Sequence, residues 1–289
     1  MRTNFKNTSL YGIVGYPLSQ SLSPVLMQWA FKWKQLDAAY LLWPQPPETL
    51  ADFIKSVKLL PLQGVSVTIP HKQTVIPFLD RLTPIAASIG AVNTLFWKNG
   101  ELWGDNTDVP GFCAPLQRGS FDLALVLGAG GGARAVLAGL KKLQVPQVLV
   151  CARSPKNLPE LEKRFDCKVI PWEQRLEILC QAEATPRVKY PRMLVINAPP
   201  LGMLDNAESE PAISSAEWAL LSNPELTVAY DLVYNPLETT FLAGAKKAGC
   251  SCVDGLSMLV AQGIGQFSRW TGHALPFSEA RTLLLNELI

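Results

Sequence analysis

The chain has 289 residues, 48% of them apolar and 17% charged. That is a soluble globular composition, long enough for two domains. A net charge of +2 with both signs interspersed, and no basic block or aromatic–basic stripe, argue against nucleic acid as a partner. No run of about 18 apolar residues is present to span a membrane. The N-terminal stretch MRTNFKNTSLYGIVGYPLS lacks the apolar run of a signal peptide, so the expected compartment is the cytoplasm. Six cysteines, Cys113, Cys151, Cys167, Cys180, Cys250 and Cys252, form no C-x-x-C pair, and only His71 and His273 could join them. They read as small buried thiols of a reducing compartment, and no metal site is expected.

The first elements form an α/β pattern. YGIVG (11–15) reads as a strand, YPLSQSLSP (16–24) as a hydroxyl-rich turn, and Val25 to Trp33 as a helix. LLW (41–43) is a second strand and GVSVTI (64–69) a third, by its alternation of Val65, Val67 and Ile69. Pro70 ends that strand, and Lys72 follows just past its carboxyl end. A lone lysine at a strand end is ordinarily a solvated surface residue. In open α/β sheets, however, ligands sit outside the carboxyl ends of the strands. The polar residues gathered there are Ser21, Ser23, Thr68, Lys72, Asn93 (in GAVNTL) and Asp108 (in GDNTD). Hydroxyls suit a carboxylate or polyol substrate, and a lysine facing an aspartate is a proton-transfer pair. The competing readings are N-capping of the following helix for Ser21 and Ser23, and turn formation for Asn93 and Asp108.

Residues 121–153 read as one βαβ unit. Leu123 to Leu127 is a strand, Gly128 to Gly132 a turn, Ala133 to Leu143 a helix and Val148 to Val150 the next strand. Gly128, Gly130 and Ala133 match G-x-G-x-x-G/A, where bare backbone approaches a pyrophosphate at the positive end of a helix. An NAD site usually ends the second strand with an acid. Here that strand runs into Cys151, Ala152, Arg153 and Ser154, with no acid before Glu160. Arg153 can instead pair with a 2′-phosphate, with donors from Ser154 and Lys156, the competing reading being a solvated loop cation; the cofactor expected is NADP. Strands follow at Met193 to Ile196 and Thr227 to Leu232, with a helix within 171–192 and a surface excursion over 205–224. This alternation fits a parallel sheet covered on both faces.

The stretches GYPLSQSLSP, VSVTIPHK, GAVNTL, GDNTD, GAGGGARA, AR-S, DLVYNP and DGLSMLVAQG occur in the order found in the shikimate dehydrogenase family, which the chain resembles over nearly its full length. The resemblance implies an α/β fold of two domains. A substrate domain of residues 1–108 and 256–289 would be interrupted by a Rossmann-type parallel-sheet NADP domain, 109–255, with the active site in the cleft. It implies reversible reduction of 3-dehydroshikimate to shikimate. Ser21 and Ser23 would hold the substrate carboxylate with Tyr234. Thr68, Asn93 and Gln262 would bind ring hydroxyls, and Lys72 and Asp108 would be the catalytic pair. Gly128, Ala129, Gly130, Gly131, Gly132 and Ala133 match the pyrophosphate turn, and Arg153, Ser154 and Lys156 the 2′-phosphate clamp. Leu232 and Gly255 match positions near the nicotinamide. A small-molecule substrate is the expected partner, with a homodimer left open.

Departures from the family pattern are Gln20 for a frequent His, Ser66 for Asn, Pro199-Pro200 for a Thr-Ser pair, and Asn157 for a second arginine. They put cofactor affinity in question more than substrate class. A quinate or aminoshikimate dehydrogenase using NAD or NADP, and a non-catalytic nucleotide sensor on the same fold, stay open as alternatives.

Overall fold

A computed structural model describes residues 8–19, 21–116, 119–180, 191–203 and 210–288. Gln20 lies outside the described residues. The chain divides into two compact units, Met1–Thr107 with Val260–Glu287, and Asp108–Leu259 with Leu288–Ile289. The first segment runs β1 (Ser9–Gly15), α1 (Ser23–Trp33), β2 (Ala38–Pro44), α2 (Leu50–Leu59), β3 (Leu62–Val67), β4 (Arg81–Leu82), α3 (Pro84–Ile89), β5 (Thr94–Lys98) and β6 (Glu101–Asp105). The second runs α4 (Asp108–Cys113), β7 (Leu123–Leu127), α5 (Gly131–Lys142), β8 (Gln147–Cys151), α6 (Leu158–Arg164), β9 (Lys168–Val169), α7 (Arg175–Cys180), β10 (Met193–Asn197), α8 (Ser215–Trp218), β11 (Thr227–Asp231), α9 (Thr240–Ala248) and β12 (Ser251–Val253). Helices α10 (Gly255–Thr271) and α11 (Phe277–Asn286) close the chain.

The first unit is built on a six-stranded mixed sheet in the order β2-β1-β3-β5-β6-β4. β1 pairs in parallel with β2 and β3, while β5 is antiparallel to both β3 and β6. Val14, Val65, Val67 and Leu95 pack with Ile54 and Val57 of α2 in one core cluster. Tyr11, Ile13 and Tyr40 pack with Met27 and Phe31 of α1 and Phe267 of α10 in another. Gly64 makes room for α10, because a Cβ there would lie 2.3 Å from Nε1 of Trp270. That indole nitrogen donates to the Leu95 carbonyl at 2.9 Å.

Two local expectations change. β3 ends at Val67 rather than Ile69. Thr68 N still donates to the Val14 carbonyl, but the chain then turns, with His71 N donating back to Thr68 O at 2.8 Å. Pro70 has no N–H with which to continue a ladder. Neither serine caps α1, whose N-cap is Leu22 without a side-chain cap. Pro24 instead takes an opening position of the helix, where its missing N–H costs nothing.

The second unit is an all-parallel sheet in the order β12-β11-β10-β7-β8-β9. β7, β8, β10 and β11 are short apolar strands and are buried almost throughout, as strands covered on both faces must be. The reading of 205–224 as a surface excursion is corrected over its described part. Ala212, Ile213 and Trp218 are fully buried, and Trp218 meets Phe241 of α9 edge to face at 5.2 Å. The polar letters of this stretch concealed three apolar anchors spaced too irregularly to show a period.

Asp231, at the carboxyl end of β11, joins three elements while fully buried. It accepts from Asn197 Nδ2 at 2.9 Å, Val233 N at 3.0 Å and Thr239 Oγ1 at 2.6 Å. Thr239 in turn caps α9, accepting from Leu242 N. Burial pushes the Asp231 carboxyl up to about 6, against three hydrogen bonds that pull it down. The folded chain therefore keeps a proton that the unfolded chain releases near pH 4. The contribution of Asp231 to stability is greatest below about pH 4 and falls as pH rises to about 6. In urea unfolding, the stability of the wild type minus that of Asp231→Asn should fall by up to roughly 3 kcal/mol between those limits. A difference that stays flat with pH would show an ordinary carboxyl there.

Candidate active site

In the first unit, the loops after β3, before β5 and after β6 are tied to one another by backbone and side-chain hydrogen bonds. Asn93 sits at the crossing and is 1% exposed. Its carbonyl accepts from Val67 N at 2.8 Å, and its own N–H donates to the Asp105 carbonyl at 3.0 Å. Its side-chain Oδ1 accepts from Thr107 N at 2.8 Å and from Thr94 Oγ1 at 2.7 Å. Its Nδ2 donates to Thr107 Oγ1 at 2.9 Å and faces Gln262 Oε1 at 3.4 Å. Val92 N donates to the Lys72 carbonyl at 2.7 Å, and Asn106 Nδ2 donates to the Ala91 carbonyl at 3.0 Å. Asn93 and Gln262 are thus brought into direct contact, and the Lys72 loop is pinned to the same crossing. Thr68 and Lys72 are half-buried and Asp108 is buried. Asp108 and Tyr234 fall within the second unit, while the other substrate candidates fall within the first.

His71 holds the lysine loop from behind. It is fully buried, and its Nε2 lies 2.6 Å from the Gln45 carbonyl. A carbonyl can only accept, so Nε2 carries the proton. Ser21 Oγ accepts from Ser23 N at 3.4 Å. With no capping duty, both serine hydroxyls remain candidates for a ligand.

Sequence reasoning missed a buried chain of polar groups beside Asn93. The Tyr40 hydroxyl donates to Ser66 Oγ at 2.6 Å, and Ser66 donates to Gln266 Oε1 at 2.7 Å. Gln266 Nε2 donates to the Asn93 carbonyl at 2.8 Å. The polarity is forced. The Asn93 carbonyl needs a donor, so the amide nitrogen faces it and Oε1 faces Ser66. Ser66 must therefore give its proton to Gln266 and accept from Tyr40. Ser23 is a second hydroxyl neighbour of the phenol, which burial holds well above its usual range. The available signal was Gln266 lying four residues after Gln262, on the same face of a helix.

In the second unit the glycine turn is shorter than expected, because α5 begins at Gly131 rather than Ala133. Gly128 has φ +103°, and its N–H donates to the Cys151 carbonyl at 2.7 Å. A side chain there would be strained and would also meet Pro199 at 2.8 Å. Gly130 is the N-cap of α5, and a Cβ on it would meet nothing within 4 Å. The first turn of α5, Gly131, Gly132 and Ala133, carries no acid. Ala129 is buried, and its carbonyl accepts from Asn157 Nδ2 at 3.2 Å. The departure at Asn157 thus trades a cation for a brace on the turn.

Arg153, Ser154 and Lys156 are exposed after β8. Glu160, the first acid to follow, is paired with the buried Arg134, which holds its carboxyl below the usual range. Leu232 packs 3.2 Å from where a Gly132 side chain would begin. Gly255 lies so close to the Leu232 and Val233 carbonyls that a Cβ would approach them to 2.5 Å. The glycine turn, Leu232 and Gly255 are therefore contiguous. A bare positive helix end, and a cation instead of a carboxylate past β8, fit a pyrophosphate and a 2′-phosphate.

Comparison with known proteins agrees with this chemistry. Residues 13–95 match the shikimate dehydrogenase substrate binding domain, and residues 255–285 the shikimate 5'-dehydrogenase C-terminal domain. The shikimate dehydrogenase (NADP(+)) of Oleidesulfovibrio alaskensis is 44% identical over 96% of this chain and 95% of its own. The crystal structure of shikimate dehydrogenase from Aquifex aeolicus is 32% identical and superimposes with a TM-score of 0.82, covering 96% of this chain and 97% of that one. Shikimate 5-dehydrogenase of Thermus thermophilus, solved in complex with NADP(H) and shikimate, is 34% identical with a TM-score of 0.79, covering 97% and 100%. A polar crossing at Asn93, a glycine turn at the head of α5 and this end-to-end similarity lead to one conclusion: the chain belongs to the shikimate dehydrogenase family.

Proposed function

We propose that the chain catalyses the reversible, NADP-dependent reduction of 3-dehydroshikimate to shikimate, on the route to chorismate and the aromatic amino acids. The observation that carries this reading is the lacing of the Lys72 loop onto Val92 and of the Asp105–Thr107 loop onto the neighbouring Asn93, in a chain 44% identical to a shikimate dehydrogenase (NADP(+)). Substrate is assigned to residues 1–108 and 256–289, and NADP to 109–255. The cofactor, when bound, supplies the hydride to the ring carbonyl carbon and accepts it in reverse.

The chain's own residues hold the substrate and move the proton. Ser21 and Ser23 grip the carboxylate with Tyr234, and Thr68, Asn93 and Gln262 bind ring hydroxyls. Lys72 gives a proton to the carbonyl oxygen as negative charge builds there, and retrieves it when shikimate is oxidised. Asp108 orients Lys72 and shares that proton. Gly128 to Ala133 cradle the pyrophosphate, Arg153 with Ser154 and Lys156 takes the 2′-phosphate, and Leu232 and Gly255 border the nicotinamide.

Among the described residues, no helix is long and apolar enough to cross a membrane. We place the enzyme in the cytoplasm, a reading supported by its cysteine usage. Assembly as a homodimer is supported by β2, an edge strand whose Leu41 and Leu42 are 43% and 46% exposed. Sedimentation equilibrium should then give twice the 31.6 kDa of the chain, and a single species of monomer mass would overturn the dimer.

Reduced-cofactor absorbance tests the function. Shikimate with NADP should be turned over, and faster than quinate with NADP or shikimate with NAD. A preference for quinate or NAD would keep the fold and overturn the specificity. Lys72→Ala should lower kcat by roughly 100-fold or more, while shikimate affinity measured by calorimetry changes far less. Unchanged turnover would remove Lys72 from the mechanism.

A further inference from the structure

Arg153, in the loop that follows β8, does not stand alone. The Arg153 guanidinium lies over the Trp172 ring, 5.7 Å from its centroid, and donates to the Glu210 carbonyl at 3.2 Å. The same ring carries a second guanidinium, that of Arg175, at 4.4 Å. Arg175 is itself tied down. It donates to the Ala212 carbonyl at 3.0 Å, to the Trp172 carbonyl at 3.1 Å and to Glu217 Oε1 at 3.0 Å. Glu217 completes the capping box of α8 with Ser214. Trp172 packs against the core of the second unit, beside Leu176. The Trp172 ring thus meets two guanidiniums, one tied down by three hydrogen bonds (Arg175) and one exposed (Arg153).

We infer that Trp172 is a positioning residue for cofactor choice, presetting Arg153 to receive the 2′-phosphate. The inference rests on the reading of Arg153 as the 2′-phosphate clamp. A long, exposed arginine loses rotamer freedom when it grips a ligand. A π-face and a carbonyl that already hold the guanidinium remove part of that cost, and the attraction of cation to ring adds to it. The need is acute in this chain, because the position of a second arginine is Asn157, whose amide is committed to the Ala129 carbonyl. The effect is confined to ligands that carry a 2′-phosphate, the one ligand group that Arg153 grips.

Calorimetry with two nucleotides that differ by one group tests this: adenosine 2′,5′-bisphosphate and adenosine 5′-monophosphate. Trp172→Leu keeps an apolar side chain against the core and removes the π-face; Trp172→Phe keeps a ring. Trp172→Leu should weaken the bisphosphate roughly three- to ten-fold and leave the monophosphate unchanged, with Trp172→Phe close to wild type. In an Arg153→Ala background the Trp172→Leu change should have no further effect, because the group it positions is gone. Equal weakening of both nucleotides, or of neither, would reduce Trp172 to a packing residue and overturn the inference. If Arg153→Ala alone leaves the preference for the bisphosphate intact, the clamp reading falls, and the role of Trp172 with it.

Discussion

One asparagine settles how the loops of the first unit can be buried and still carry polar chemistry. Loops at strand ends have backbone groups with no sheet partner, and burying them unpaired costs more than the packing returns. Asn93 answers this with both its peptide groups and both ends of its amide, bonded to Val67, Asp105, Thr94 and Thr107. An amide is suited to the task because it donates and accepts at once without bringing a charge. The GDNTD turn is held to Asn93 and the IPHK loop to its neighbour Val92, whose N–H donates to the Lys72 carbonyl. Behind it, Tyr40, Ser66 and Gln266 form a chain with only one allowed direction of hydrogen bonding. Such a fully satisfied network fixes geometry more firmly than packing alone.

The second unit is built by the opposite means. The start of α5 presents N–H groups that no side chain covers, because Gly130, Gly131 and Gly132 carry none. Support is placed underneath. Arg134, 1% exposed, is paired with Glu160, and Asn157 braces the Ala129 carbonyl. Asp231 ties β10 and β11 to the start of α9, next to the Leu232 and Gly255 that border the same turn. Burying a carboxylate this way costs stability near neutral pH. Three donors aimed at one acceptor make the arrangement of those elements specific.

Much of this was legible in the residues. The βαβ unit announces itself because a short apolar strand, a glycine turn and a helical repeat are all local signals. β7, α5, β8, β10 and β11 lie within a few residues of where the pattern puts them. Arg153 in place of an acid pointed to NADP, and NADP is the cofactor of the relatives. Less legible were elements defined by contact. Trp218 and Ile213 are core residues in a stretch whose composition looks like surface. Ser21 and Ser23 look like caps, yet the N-cap of α1 is Leu22 and neither hydroxyl caps the helix.

By itself the sequence determined the two α/β patterns, the dinucleotide turn, the kind of cofactor and the family, because each follows from neighbouring residues or from motifs in a given order. Only the tertiary structure decided which polar residues meet. The partners of Asn93 come from β3, β5, the loop after β6 and α10, and Ser66 and Gln266 are 200 residues apart. The ring behind Arg153 comes from the far side of β9. Hydrogen bonds and ring contacts depend on distance in space. A one-dimensional pattern reports separations of only a few residues, along one helix face or one strand.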